Sequence, residues 1–358
     1  GQVVKVEQLI AQRREVPVVP LTLRPVAGPQ FLFSDKPEYY RSNGISLREE
    51  VRPGAVRLYV YHVPEPAGVG KTISAVVENL STTNSLRLVM TKQSTPAPGL
   101  DYHGIAKSAL VDFLSPAKTN AARRVPPGGR VVLDSKLDGQ VATTNQLVHG
   151  LYEFEVDQPA RVTVFQREVE QESLKVVDGL PLLPGVKPGV NEASGAGRGR
   201  FENCNLEGAA PGYVVDTAQG AMQVVVADGR RDPWIRGRDS IDALEARNVG
   251  NYGVLYRIKL ERCSSDGRGL ALLMGRVEAN NRYCGGLGAA VQVSPGMEPG
   301  GVVALPSERA AFYGPGEAVM VQKFEPLKPG QTETIEVVYS PPGAACLPTP
   351  LYLVPFDM

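Results

Sequence analysis

Three histidines are the residues most suited to a metal site, and they are His62, His103 and His149. None belongs to an H-E-x-x-H motif, and no two have the helical spacing that places a pair of ligands on one face. They could bind a metal only if distant strands brought them together, with Asp101 beside His103 as a further ligand. Hydrogen-bonded structural histidines are the commoner outcome, so we predict no metal and no other cofactor.

The sequence contains no complete motif for nucleophilic catalysis or for phosphate binding either. The sequence contains no G-x-S-x-G, and no histidine follows His149, so a hydrolase triad would have to lie in the first half. Residues 68–72 (G-V-G-K-T) resemble the end of a phosphate-binding loop, but that motif needs glycine where Glu65 stands. The stretch also lies between two predicted strands. We therefore interpret it as a polar loop and predict a protein that is not an enzyme.

Residues 228–242 combine four acidic side chains with four arginines around the single tryptophan, Trp234. A calcium loop needs carboxylates at alternate positions without neutralising arginines between them. A surface loop with internal ion pairs is the simpler interpretation. The alternative is a contact surface anchored by Trp234, Arg236 and Arg238, because tryptophan and arginine are favoured at interfaces.

All four cysteines follow residue 200: Cys204, Cys263, Cys284 and Cys346. An even number in one half predicts two disulfides there, and therefore an oxidising compartment. Free buried cysteines are the alternative. Cys263 with Cys284 is the poorest of the three pairings, since one lies at a predicted turn and the other beyond the far end of the returning strand. The other two connectivities remain open.

The totals exclude several partners. Lysine plus arginine and aspartate plus glutamate both number 38, so the net charge is zero and nothing predicts nucleic-acid binding. Aromatic residues make up only 6%, which argues against a glycan surface of stacked rings. No apolar run approaches the ~20 residues that span a bilayer. We expect an exported mature chain, extracellular, on the cell surface or periplasmic, with Gly1 left after removal of a signal.

The elements that must position these residues are strands. Val254, Tyr256, Ile258 and Leu260 alternate with polar residues, which predicts a half-buried strand, and an apolar run over 270–277 follows a turn, which predicts a hairpin. The 38 glycines and 30 prolines fit a turn-rich β protein. We predict an all-β chain of two tandem antiparallel β-sandwich domains, Ig-like or jelly-roll-like.

The predicted order is an extended arm over 1–30, a first sandwich over 31–170, a Gly/Pro-rich linker over 171–200 and a second sandwich over 201–358. Prolines at 17, 20 and 25 keep the arm extended. Its apolar residues either pack on their own chain or add a strand to a neighbouring subunit. These arm residues are Val16, Val18, Val19, Leu21 and Leu23.

A weak internal repeat connects the halves. Residues 75–90 and 258–274 share an apolar strand, a polar turn and a second apolar strand. Two related sandwiches would produce this pattern, and so would similar hairpin chemistry arising twice.

The sequence also resembles an uncharacterised family of secreted or cell-envelope proteins common in cyanobacteria and found in other bacteria. The resemblance lies in residues 24–28 (R-P-V-A-G), 42–45 (S-N-G-I), 61–62 (Y-H) and 250–256 (G-N-Y-G-V-L-Y). It implies an exported β protein and carries no activity or catalytic residues. The cysteine positions and the linker depart from the family, so it does not support the disulfides.

Three functional hypotheses follow. The first is a structural or assembly protein of the cell surface that associates with itself or with other envelope proteins, as a layer, filament or envelope complex. The second is an extracellular binding module for a glycan or an envelope protein. The third is a metal-dependent enzyme centred on the three histidines.

Overall fold

The computed structural model describes residues 1–65, 68–116, 120–185, 195–276, 285–295 and 301–357. Within these residues, the helices are too short or too polar for any of them to cross a membrane. The elements, in chain order, are β1 (Gln2–Lys5), α1 (Glu7–Ala11), β2 (Thr22–Pro25), β3 (Gln30–Ser34), β4 (Tyr39–Tyr40), β5 (Gly44–Val51), β6 (Gly54–Pro64), β7 (Lys71–Asn79), β8 (Leu86–Ser94), α2 (Tyr102–Leu114), β9 (Arg123–Val125), β10 (Arg130–Val132), α3 (Ser135–Gly139), β11 (Val148–Val156), β12 (Ala160–Glu168), α4 (Ser173–Val176), β13 (Arg198–Phe201), β14 (Asn205–Asp216), a 3-10 turn (Thr217–Gln219), β15 (Met222–Val224), β16 (Arg236–Asp239), β17 (Leu244–Arg247), β18 (Leu255–Cys263), β19 (Gly269–Met274), β20 (Ala289–Ser294), β21 (Val302–Leu305), β22 (Glu317–Phe324), β23 (Glu333–Tyr339) and β24 (Leu351–Phe356).

The chain folds as all-β sandwich units, as predicted, but the two units are interleaved in sequence. The C-terminal unit comprises 1–26, 205–234 and 250–358, and the central unit comprises 27–204 and 235–249. The chain therefore passes between the units four times. The predicted tandem order differs from this arrangement because contacts between strands, and not chain continuity, decide which unit a segment joins.

The central unit contains a four-stranded sheet, β10-β7-β12-β5, and a nine-stranded sheet, β17-β16-β13-β3-β6-β11-β8-β9, to which β4 adds at β6. Most neighbours are antiparallel, but β3 and β4 both pair with β6 in parallel. The core lies between the two sheets, where Leu58 and Val60 of one cluster with Val77 and Val164 of the other.

The predicted linker is part of the central unit. Residues 198–201 form β13, which pairs with β3 on one side and β16 on the other. Its glycines permit that close approach: a Cβ on Gly199, whose φ is +125°, would lie 2.3 Å from the carbonyl oxygen of Arg238. A Gly-Arg repeat that looks like a flexible spacer is a central strand here. Residues 186–194 of the predicted linker lie outside the described residues.

The C-terminal unit contains a five-stranded sheet, β1-β22-β19-β24-β15, and a six-stranded sheet, β2-β14-β18-β23-β20-β21. The alternation predicted at 254–260 is confirmed, since Val254, Tyr256, Ile258 and Leu260 are buried. On the opposite side of β18, Arg257 pairs with Glu336 on β23. The β18 strand runs parallel to β14 and antiparallel to β23.

The predicted hairpin at 254–277 is wrong: its two strands belong to different sheets. β18 lies in the six-stranded sheet and β19 in the five-stranded sheet, so the turn between them is an arch. β7 and β8 likewise belong to different sheets, as do β11 and β12. Hairpins and arches use the same turn residues, so turn composition did not distinguish them.

Both segments of the predicted repeat are therefore arches, and each begins at a buried polar residue. Asn79 ends β7, and its side-chain amide donates to the carbonyl oxygen of Asn84 at 2.7 Å and accepts from the amide of Ser81 at 3.0 Å. Arg262 holds the corresponding place in the second repeat and pairs with Glu333 at 2.6 Å. A buried polar side chain thus lies at the end of the first strand in both segments.

Candidate interaction site

The three histidines do not converge. His62 lies opposite Val148 in the β6–β11 ladder and His149 lies opposite Tyr61, so the two imidazoles project from opposite faces of one sheet. Within the described residues, no three His, Cys, Asp or Glu side chains gather in a group that could hold a metal ion. The structure therefore does not bring His62, His103 and His149 together.

His62 is sealed in the sandwich core. Its Nδ1 donates to the carbonyl oxygen of Pro37 at 2.7 Å, so its Nε2 accepts from the Ser34 hydroxyl, also at 2.7 Å. Burial lowers the pKa of His62 to about 3, although the bond to Pro37 opposes that shift. A serine paired with a neutral histidine is a nucleophile's geometry, but both side chains have no exposed surface. No substrate atom could reach this pair.

His149 is equally buried on the other face of the sheet. Its Nδ1 lies 2.7 Å from the carbonyl oxygen of Val60, and burial lowers its pKa to about 4. His103 lies in the first turn of α2, where burial also lowers its pKa. Asp101 caps the same helix by accepting from the amide of Gly104 at 3.0 Å. These side chains stabilise the fold.

The cysteines do not form two disulfides. Cys204 and Cys263 are not in disulfides, while Cys346 is disulfide-bonded and Cys284 lies outside the described residues. The Cys204 thiol is buried and donates to the carbonyl oxygen of Pro29 at 3.2 Å. Burial raises the pKa of both thiols. The even cysteine count misled because a cysteine can also act as a small buried residue, as Cys204 does.

Trp234, Arg236 and Arg238 are divided between the two units. Trp234 belongs to the C-terminal unit, and it is half-buried with its indole against Gly229. Arg236 and Arg238 lie on β16 in the central unit, where Arg236 pairs with Glu245 at 3.3 Å. Asp239 ends β16, which forms a hairpin with β17.

The predicted arm is ordered, and it forms part of the C-terminal unit. We call residues 1–26 the strap. Its first strand, β1, pairs antiparallel with β22 through Gln2 to Met320 and Lys5 to Glu317. The amide of Val6 then donates to the carbonyl oxygen of Gly316 at 2.8 Å. The strap thus closes one edge of the five-stranded sheet.

Next the strap crosses the outer face of that sheet. Val4, Val6, Leu9 and Ile10 pack on a cluster contributed by three strands, and Val16 is buried within it. The strand residues in the cluster are Ala271, Leu273, Ala318 and Tyr352. The short α1 has no buried residue of its own, so its contribution is a half-buried apolar side.

Gln223 on β15 fastens the strap at the opposite edge. Its side-chain amide donates to the carbonyl oxygens of Arg13 and Val16, at 2.9 and 2.8 Å. Its backbone amide donates to Pro17, and its carbonyl accepts from Val19, both at 2.9 Å. One glutamine, about nine-tenths buried, thus makes four hydrogen bonds to the strap.

The strap ends by adding a strand to the other sheet. β2 pairs antiparallel with β14, with Leu23 opposite Gly208. A Cβ on Gly208 would lie 3.0 Å from Leu23 and 3.2 Å from Leu21, so the missing side chain makes room for both leucines. An exposed ion pair, Arg24 to Glu207 at 2.7 Å, lies alongside.

Among the described strands of the C-terminal unit, the strap thus covers three of the four sheet edges: β22, β15 and β14. The fourth, β21, contacts the strap only near its end, where the amine of Gly1 donates to the carbonyl oxygen of Ala304 at 2.9 Å. Uncovered edges pair readily with other chains. Chemically the site is a receptor for an extended apolar peptide, occupied by the chain's own N-terminal segment.

All five apolar arm residues singled out in the sequence lie in the strap. Val16 and Val19 are buried, and Val18, Leu21 and Leu23 are half-buried. Sequence reasoning did not identify Gln223 or Gly208 as their receptors. A signal exists only for Gly208, since glycine within a strand often marks close approach by another backbone.

Comparisons with known proteins add nothing to the function. No protein family model matches the chain, and no curated protein matches it. Among solved structures, it is similar to the CUB1-EGF-CUB2 domains of rat MASP-1, with 9% identity, a TM-score of 0.20 and coverage of 86% of this chain and 97% of that one. For the CUB1-EGF-CUB2 domain of human MASP-1/3, the identity is 8% and the TM-score is 0.19, with 87% of this chain and 100% of that chain covered. These TM-scores are too low to support a conclusion.

Proposed function

We propose that this chain is an exported, non-catalytic structural protein that assembles at the cell surface with copies of itself or with other envelope proteins. The observation that carries the proposal is the strap. A 26-residue segment joined directly to the central unit provides the edge strands and face cover of the C-terminal unit. Proteins that assemble by strand addition use this type of receptor.

Other observations support the proposal. The disulfide at Cys346 is typical of an oxidising compartment outside the cytoplasm. The Ser34–His62 pair is closed to solvent, and His62 and His149 project from opposite faces of one sheet. The zero net charge makes electrostatic recruitment by nucleic acid a poor alternative.

Sedimentation velocity over a concentration series, followed by electron microscopy, tests the proposal. We expect species larger than the monomer whose fraction grows with concentration and which form regular particles in the images. A Gln223→Ala variant, with the strap loosened, should shift that distribution, whereas Gln166→Ala, at a buried glutamine of the central unit, should not. Monomers at every concentration would overturn the proposal and favour the binding module, to be tested next on a glycan array with a Trp234→Phe control.

A further inference from the structure

We propose that the contact between copies is an exchange of straps, in which the strap of one chain occupies the receptor on the C-terminal unit of a second copy. The inference rests on the proposed function, since it specifies the partner and the surface used. The receptor is the edges of β22, β15 and β14 together with the apolar cluster on the five-stranded sheet.

Chain connectivity is the first argument. The strap docks on the C-terminal unit, but its next residue, Ala27, belongs to the central unit, and the chain returns to the C-terminal unit only at Asn205. No covalent link within the C-terminal unit holds the strap in place. An identical strap from a second copy would make the same hydrogen bonds and apolar contacts, so only the linker conformation and association entropy distinguish the two states.

The joint that must change is short and exposed. The last strap hydrogen bond runs from the amide of Val26 to the carbonyl oxygen of Asn205 at 3.0 Å, and β3 begins at Gln30. Between them, Ala27 and Gly28 are both exposed. A small residue followed by glycine can adopt a new backbone direction at little cost, as a hinge requires.

The empty receptor explains why the occupant is a second strap. Without a strap, the apolar cluster around Leu273 and Tyr352 faces water and three sheet edges lose their partners. The Gln223 side chain would also lose both of its carbonyl acceptors. Any strap that leaves its own receptor thus creates a vacancy that matches the register and hydrogen bonding of an identical strap.

Two variants, each with one added cysteine, test the exchange. Thr22 and Ala209 lie directly opposite each other in the β2–β14 ladder, and both are exposed. Opposed residues of antiparallel strands have Cα atoms about 4.5–5.5 Å apart, which suits a disulfide. Thr22→Cys and Ala209→Cys are made in separate chains carrying Cys263→Ser, mixed, incubated at high concentration and oxidised. Joined peptides are then identified by mass spectrometry.

We expect a disulfide between position 22 of one chain and position 209 of the other. In the control, Thr83→Cys replaces Thr22→Cys; Thr83 lies on an exposed turn of the central unit. The yield of the 22–209 disulfide should exceed the yield of the 83–209 disulfide by on the order of 100-fold. The reason is that a docked strap holds the thiols at millimolar effective concentration, while free collisions occur at micromolar concentration. A chain carrying both substitutions is the positive control and should close within itself.

Sedimentation of the same mixtures separates the two proposals. Assembly without the 22–209 link would overturn strap exchange while leaving a structural role intact. Links confined to closed dimers would support exchange and overturn a layer or filament. Monomers without links would overturn both. Links within assemblies larger than dimers would support both.

Discussion

The two units protect their sheet edges in different ways. In the central unit, a segment just after β12 covers β5, because the amides of Ile45 and Leu183 bond to the carbonyls of Pro181 and Ile45 at 2.8 and 2.9 Å. Its other edge strands are short and carry charged residues such as Arg124 on β9 and Glu245 on β17. The C-terminal unit depends on the strap, which is separated from it in sequence by the central unit. In the central unit, the edges are thus protected by the strands' own composition or by a segment nearby in sequence. In the C-terminal unit, they are protected by a segment distant in sequence.

Deleting residues 1–26 should have the largest effect, and this effect should fall on the C-terminal unit. The C-terminal unit loses three edge partners and the cover over Leu273 and Tyr352, so we expect a loss of more than about 5 kcal/mol, most of a domain's stability. Fluorescence of Trp234, which belongs to this unit, and hydrogen exchange would follow the change.

The central unit should remain protected in the same exchange experiment, and a synthetic peptide of residues 1–26 should restore protection of the C-terminal unit. Equal loss of protection in both units would show that the strap does not act on the C-terminal unit alone.

Acid should lower the stability of the central unit through two buried histidines. His62 and His149 belong to the central unit, and their pKa values of about 3 and about 4 lie below the unfolded value near 6.5. The unfolded chain therefore binds more protons below pH 6.5. Stability from the neutral imidazoles is complete above that pH and is lost as the pH falls toward 4, at ~1.4 kcal/mol per unit for each histidine.

Buried carboxyls with raised pKa values, Asp35 and Glu49, oppose this loss, so the slope must be isolated by substitution. His149→Asn keeps a donor near Val60 and should remove up to one proton from the dependence of urea unfolding on pH. An unchanged slope would mean that His149 is protonated in the folded protein.

Gln223→Ala should weaken the attachment of the strap and leave the central unit unchanged. The carbonyls of Arg13 and Val16 lose their side-chain donor, and we expect a cost of about 1–3 kcal/mol, seen as faster hydrogen exchange across the strap. Gln166→Ala is the matched control: Gln166 is fully buried and donates to Asn43 at 3.2 Å in the central unit. It should speed exchange there and leave the strap protected.

Arg24→Ala should have the smallest effect, within about 0.5 kcal/mol, because the pair with Glu207 is solvent-exposed. Leu23→Ala, at the neighbouring residue that packs on Gly208, should cost about 1 kcal/mol. Chemical unfolding followed by Trp234 fluorescence measures both. The reverse order would mean that charge, and not packing, holds β2.

Much of the fold could be predicted from local pattern, but not its connections. The strands predicted around Val76 and Ile258 are present, since alternation of apolar and polar residues reports burial of one face directly. Their sheet membership could not be read, because the turn after Asn79 has the same composition whether the chain returns to the same sheet or crosses to the other.

The interaction site was half predictable. Its ligand was visible as an apolar, proline-rich segment with Val16, Val19 and Leu23. Its receptor was not, because Gln223 and Gly208 become meaningful only when residues about 200 positions apart are brought together. Long-range pairing of this kind leaves no periodic signal in the receptor strands.

The sequence separation between β1 and β22 also delays their pairing during synthesis. The strap is made first, yet β22 begins at Glu317, roughly 300 residues later. At about 5–20 residues per second, synthesis leaves the segment without its receptor for on the order of 15 to 60 s. During that interval the apolar side chains of the strap lack the strands that they pack against in the folded chain. The order of synthesis therefore delays the β1–β22 pairing until β22 has been made.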